Sequence, residues 1–256
     1  MHAKVIAVTN RKGGTGKSTM AVNLAAELGA RGYRVLVAYA DPQGHAGLGF
    51  GISAANESQT IHRALREPNI DLADSVCATT EPGVDVLAAD GNFDGEIHVA
   101  DPRCLAHALE PVRPNYDVVL IDTPPAAANV MVSVLLASDG VLVPTALDYL
   151  SLDGARQFAR SYHHVVCELQ AALLGLAIAP MLVDFRNNMQ KQVLASLLST
   201  FGSRQVMSSV RIDVSVAEAF AEHKPLRRYR INARAVDDFR IVADDVVRRF
   251  NLPALN

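Results

Sequence analysis

The chain has 256 residues, half of them hydrophobic and a fifth charged, with a formal net charge of −3. A chain of that size buries enough surface to need no disulfide or metal staple, and its slight acidity excludes a global pull toward nucleic acid, so any such binding has to come from a local patch. Three widely spaced cysteines, Cys77, Cys104 and Cys167, show no C-x-x-C pattern; they predict reduced thiols in a cytosolic protein rather than bridges or metal ligands.

The opening Met1-His2-Ala3-Lys4 runs straight into an apolar strand, Val5-Ile6-Ala7-Val8, which argues against a signal peptide. A helix is predicted from Ser18 to about Ala30, stopped by Gly32, and residues 33–39 read as a buried strand. A loop rich in glycine follows from Asp41-Pro42-Gln43-Gly44 to Gly51, then a helix over 58–67 that stops before Pro68. The signal weakens over 70–102, where 84–88 reads as a strand and Asp90-Gly91 as a turn. A helix is expected over 103–112, ending near Pro114. The clearest strand, 117–121, is capped by Asp122-Thr123-Pro124-Pro125. After it come a helix over 128–137, a strand over 140–144, a long helix over 152–174 and a strand over 177–183. A helix after Asn187, a short strand near Val206 and helices over 213–222 and 234–250 complete the chain. In the last of these Val236, Phe239, Ala243, Val246 and Phe250 form one apolar stripe, the pattern of a helix docked on a core. Alternating strands and helices predict an α/β fold, a mainly parallel β-sheet flanked by helices on both faces, in one domain over 1–256.

The segment Asn10-Arg11-Lys12-Gly13-Gly14-Thr15-Gly16-Lys17-Ser18-Thr19 sits between the first strand and the first helix. Strand, glycine-rich turn and helix N-terminus together make an anion site, with turn N–H groups pointing inward and the helix dipole adding positive potential. Lys17 then reaches the β- and γ-phosphates of a nucleotide, and the Ser18 hydroxyl can ligate Mg2+. The common G-x-x-x-x-G-K-[ST] pattern would want glycine where this chain has Arg11. The chain fits instead the deviant form K-G-G-x-G-K-[ST], with the extra Lys12 directly before the glycines. Asp122, at a strand's carboxyl end, belongs on the same sheet edge as the cradle and is placed to hold Mg2+ through water. Asp41 lies just past another strand terminus, where a carboxylate can orient a water for in-line attack; on spacing alone it reads equally as a turn aspartate before proline.

The stretches KGGTGKST at 12–19, ADPQG at 40–44, YDVVLIDTPP at 116–125 and VPTALDYLSLDG at 143–154 resemble the ParA family of deviant Walker ATPases, within the larger group that contains MinD. DFRNNMQKQV at 184–193, VRIDVSVAEAF at 210–220 and HKP at 223–225 extend the resemblance over nearly the whole chain. It implies ATP and Mg2+ as cofactors and a homodimer that sandwiches ATP and is undone by hydrolysis. Lys12 would be the signature lysine that reaches the partner's ATP, Asp41 the water-positioning aspartate, and Asp122 the Walker B aspartate. Asn188 falls where the family has an adenine-contacting asparagine. The chain departs from the family's D-x-D-P-Q at Tyr39, which supplies no carboxylate charge, so weaker metal affinity or hydrolysis is expected. His45, where the family often has asparagine, reads as a loop side chain.

The resemblance also implies non-specific DNA binding by the ATP-bound dimer, a ParB-like activator associated with the cargo, and a cytoplasmic protein on the nucleoid. Arg204, Arg211, Lys224, Arg227, Arg228, Arg230 and Arg234 cluster in the last quarter, with Arg211, Lys224, Arg227, Arg228 and Arg230 the expected DNA contacts. Asp213, Glu218 and Glu222 are interspersed, so a salt-bridged surface is the alternative. Membrane attachment is not expected: no apolar run approaches the roughly 18 residues of a span, and residues 236–250 carry four aspartates against three arginines. Segregation of plasmid or chromosome DNA is the expected role. Its alternatives are positioning of a protein cargo, such as carboxysomes or chemoreceptor clusters, and a nucleotide-gated binding module with little turnover.

Overall fold

The structure, a computed structural model, describes residues 2–41, 45–52, 60–67, 70–90, 101–125, 128–169 and 173–255. Short runs of β-branched and small apolar residues, buried but for Lys4 and Ala146 at two strand ends, form strands that need cover on both faces. These are β1 (Lys4–Val8), β2 (Val35–Tyr39), β5 (Val118–Asp122), β6 (Gly140–Ala146) and β7 (Leu176–Met181), joined on one side by β4 (Val84–Leu87) and the edge strand β3 (Val76–Ala78). The sheet order is β3-β4-β2-β5-β1-β6-β7, parallel throughout except for the antiparallel β3–β4 pair.

Alternation along the strands sorts the helices into two layers. Val5 and Ala7 of β1, with Leu36, Ala38, Val119 and Ile121, pack in one core against α3 (Ile61–Arg66), α4 (Cys104–Leu109), α5 (Ala128–Ala137), α6 (Tyr149–Leu169) and α7 (Asn188–Phe201). Ile6 and Val8, with Val35, Val37, Tyr39, Val118 and Leu120, face the other core, built on α1 (Lys17–Gly29) and α10 (Arg234–Arg249). The predicted stripe of α10, Val236 to Phe250, is fully buried there. A Cβ on Gly140 would lie 2.4 Å from the Phe250 ring, so glycine lets the end of α10 seat on the start of β6. Three shorter helices, α2 (His45–Leu48), α8 (Val214–Ala221) and α9 (Leu226–Tyr229), complete the described elements.

Most expected elements are present with shifted ends. The strand expected to reach 183 stops at Met181 because Leu182 turns to φ 57. The helix expected over 103–112 is Cys104–Leu109, and a 3-10 turn, Arg113–Asn115, takes up Pro114. The short strand near Val206 is a single bridge to Ile178. Parts of four expected features, 42–44, 58–59 with 68, 91 and 170–172, lie outside the described residues. The chain leaves β1 for β2 on one side of the sheet and reaches β6 and β7 on the other. The carboxyl end of β1 is therefore a topological switch point, where ligands of open α/β sheets bind.

Candidate nucleotide site

The loop leaving β1 is fixed from below by Asn10, which is fully buried. Its Nδ2 donates to the Pro144 carbonyl at 2.8 Å and its Oδ1 accepts from the Lys12 N–H at 3.1 Å, tying the loop to β6. Gly14 and Gly16 hold φ of 71° and 89°, the left-handed region that favours glycine, and a Cβ on Gly13 or Gly14 would meet nothing within 4 Å. The turn is thus open above and glycine-shaped within. Its far wall is Met181 at the end of β7, whose Cε would be 2.9 Å from a Cβ on Gly16. No side chain caps the N-terminus of α1, which leaves its first-turn N–H groups to an anion.

Lys17 and Ser18 open that helix above the end of β5. Lys17 is 7% exposed, and its Nζ donates to the Lys12 carbonyl at 3.4 Å. Burial lowers its pKa, while the charges of Asp122 and Asp41 push it back up. Asp122 is 1% exposed, and neither of its carboxylate oxygens has a hydrogen-bond partner among the described residues. Burial pushes its pKa up to about 7 and Asp41 adds to the rise. Ser18, close by but outside hydrogen-bonding geometry, and Lys17 oppose it. Asp41, 7% exposed just past β2, is the second carboxylate of the group. A buried ammonium, a hydroxyl and an orphaned carboxylate under an open ring of N–H groups fit a magnesium–phosphate group, which takes hard oxygen donors and keeps part of its water shell.

Lys12 points elsewhere. Its Nζ donates to both oxygens of Asp148, at 2.9 and 3.1 Å, and to Ser151 Oγ at 3.0 Å. Ser151 in turn donates to Asp148 through its N–H and its hydroxyl, at 2.8 and 2.7 Å. Lys12 is therefore anchored on the start of α6 within its own chain. Asp148 and Ser151 were missed as a lysine anchor although they lie inside VPTALDYLSLDG. Asn188 sits at the first residue of α7, beyond the carboxyl end of β7, exposed and bonded to Lys191 at 3.4 Å. The neighbouring Asn187 is the cap of that helix. Tyr39 is fully buried on the strand next to Asp122, and the His45 side chain lies outside the described residues.

The expected DNA contacts each stand beside a carboxylate. Arg211 forks onto Asp238, with contacts down to 2.6 Å, and Arg228 reaches Glu81 at 3.1 Å. Arg227 lies 3.7 Å from Glu27, Arg230 3.9 Å from Glu218, and Lys224 3.8 Å from Glu222. Each of the five thus has a carboxylate within 4 Å, and the pairs of Arg230 and Lys224 are exposed on both sides. A different set lines a pocket of about 460 Å³ between the end of α7 and the last turns of α10: Ser203, Arg204, Asp245, Arg248 and Arg249. Asp245 is paired with Arg248 and accepts from the Ser208 N–H, whereas Arg204 and Arg249 have no ion pair among the described residues. The three cysteines are free thiols, and among the described residues no helix is long and apolar enough to cross a membrane.

A glycine cradle with a second lysine before it, at the switch point of a mainly parallel sheet, defines a P-loop protein of the deviant type. The chain belongs to the ParA-type deviant Walker A ATPases of the ParA/MinD superfamily. The profile of the family described as AAA domain matches residues 3–174. The sporulation initiation inhibitor protein Soj of Bacillus subtilis is 33% identical over 248 residues, 95% of this chain and 98% of Soj. The chromosome partitioning protein ParA of Caulobacter vibrioides is 32% identical over 253 residues, 96% of this chain and 94% of that protein. The fold is shared with an ATP complex of a McdA variant from Cyanothece, at a TM-score of 0.84 and 18% identity, covering 100% of this chain and 99% of McdA.

Proposed function

We propose that the chain is a single-domain partitioning or positioning ATPase that binds ATP with Mg2+, pairs with a second copy around the nucleotide, and holds DNA while paired. The observation that carries the nucleotide half is the orphaned Asp122 carboxylate beside buried Lys17, under a glycine turn open to solvent. Glycine N–H groups and Lys17 bind the phosphates, and Ser18 and Asp122 hold the metal, Asp122 through water. The metal supplies charge neutralisation at the β- and γ-phosphates. Asp41 orients the attacking water, which adds to phosphorus as the bond to the ADP oxygen breaks, giving ADP and phosphate. Thr15 and Thr19 frame the loop, and Asn188 contacts the base.

Lys12 crosses to the nucleotide of the other subunit, so pairing follows the γ-phosphate and ends with hydrolysis. A ParB-like activator carried by the cargo speeds a turnover that is slow alone. The protein works in the cytoplasm, on the nucleoid, and plasmid or chromosome DNA is the cargo; the partitioning relatives support that choice over a protein cargo. Phosphate release with DNA and the activator present, for wild type and Asp41→Ala, tests the enzyme reading. Turnover in wild type lost in the variant supports it. Equal, near-zero release in both leaves the second reading, a nucleotide-gated binding module, which Tyr39 in place of a carboxylate favours.

A further inference from the structure

Tyr39 and Asp122 are register partners on the adjacent parallel strands β2 and β5. The pairs Val35–Val118 and Val37–Leu120 that precede them all point into the core beneath α1, so the phenol and the carboxylate share that face. Both residues are 1% exposed. Tyr39 Oη, like both oxygens of Asp122, has no hydrogen-bond partner among the described residues. Unpaired polar atoms this deep are uncommon in native proteins and call for an explanation. A phenol is neutral at ordinary pH, with one proton to donate and lone pairs to accept. The ring lies against α2, where a Cβ on Gly47 would come within 3.3 Å of it.

The chemistry of these atoms is directional. A water bound to Mg2+ has its lone pair on the metal, so it can only donate to the protein. An ionised carboxylate can only accept. A phenol does both, and so can link the two. We propose that Tyr39 is a positioning residue for the metal's water shell: with Mg2+ in place its Oη would accept from a metal-bound water and donate to Asp122, a bond the two residues do not make without the metal. Tyr39 would thereby accept from the water shell, as an outer carboxylate would, without adding a third negative charge beside Asp41 and Asp122. This rests on the nucleotide-site reading above.

The test is thermal melting of the full chain with ADP, as Mg2+ is raised from zero in the presence of a chelator-defined baseline, for wild type, Tyr39→Phe and Tyr39→Asp. Tyr39→Phe keeps the ring packing and removes one unpaired hydroxyl, so without metal it melts no lower than wild type. Its Mg2+ midpoint rises roughly tenfold, the usual scale for loss of an outer-shell partner. Tyr39→Asp places a third buried carboxylate in the site, so it melts lower without metal and gains more on Mg2+ addition. A Tyr39→Phe midpoint equal to that of a responsive wild type overturns the proposal, as does an equal drop in melting temperature with and without metal, the mark of a merely structural hydroxyl. A wild type indifferent to ADP and Mg2+ overturns the nucleotide reading and this proposal together.

Discussion

Lys12 decides whether the cradle is one site or half of a shared one. Within the chain its ammonium has three oxygen partners on Asp148 and Ser151, all within 3.1 Å. Burial alone would raise the Asp148 pKa, but hydrogen bonds from Ser151 and Lys12 outweigh it and hold the carboxyl below its usual range. To serve a partner's phosphate Lys12 exchanges one anion for another, and the exchange is cheap because both side chains are more than a third exposed. Pairs so exposed contribute about 0–1 kcal/mol. Lys12→Ala should therefore leave a folded monomer of near-normal stability and remove ATP-dependent dimers. Light scattering showing intact dimers in the variant would count against the shared site. Asp148→Asn weakens the in-chain hold on Lys12 and should strengthen ATP-dependent pairing several-fold, measured as a lower dimer dissociation constant; weaker pairing would make Asp148 part of the interface instead.

At the level of elements, the C-terminal helices are joined through Asp213. Its carboxylate accepts from Ser215 N–H at 3.0 Å, capping α8, and from Ala235 N–H at 3.2 Å at the start of α10. Burial would raise its pKa, but those hydrogen bonds prevail and lower it. Asp213→Ala should cost about 1–2 kcal/mol at neutral pH, the upper range for a cap. Because the folded pKa is depressed, the carboxylate's contribution is complete above the ordinary aspartate value of 3.8 and is lost as pH falls through the lower folded value. Chemical denaturation should show the cost of the variant shrinking only below that range. The long strands and the stripe of α10 were legible because their apolar periodicity is local. The three residues of β3 and four of α9 carry no such period; pairing with β4 and packing on α1 and α10 define them. In the same way Lys17 and Asp122 could be read from motifs, whereas the Lys12–Asp148 contact spans 136 residues and Arg228–Glu81 spans 147, separations that only the fold closes.

On the scale of the whole molecule, a net charge of −3 gives no general attraction to DNA, so binding depends on which cations are free to meet phosphates. Arg227 and Arg228 are poor candidates for a clean test, because their partners Glu27 and Glu81 are 5% and 6% exposed at the side chain. Removing Arg228 takes away the ion pair of the buried Glu81, so charge reversal there should lower the melting temperature whether or not DNA is present, whereas Glu27 keeps Arg240 at 3.8 Å when Arg227 is lost and the drop should be smaller. Arg204 and Arg249 border the pocket at the end of α10 without an ion pair among the described residues. Burial lowers the Arg249 pKa with only Asp245 opposing, and Asp245 is shared with Arg248 and the Ser208 amide. An arriving phosphate would find these two cations without breaking any ion pair. The double variant Arg204→Ala/Arg249→Ala should keep its melting temperature within about 1 kcal/mol of stability, as surface changes do. It should lose ATP-dependent affinity for duplex DNA of any sequence, and the slope of log affinity against log salt should flatten by about 0.9 for each phosphate contact removed. Two copies in a dimer double that change, and a chain held by both loses more than either site alone. An unchanged slope in the double variant, beside DNA binding that still requires ATP, would move the contact surface away from α10.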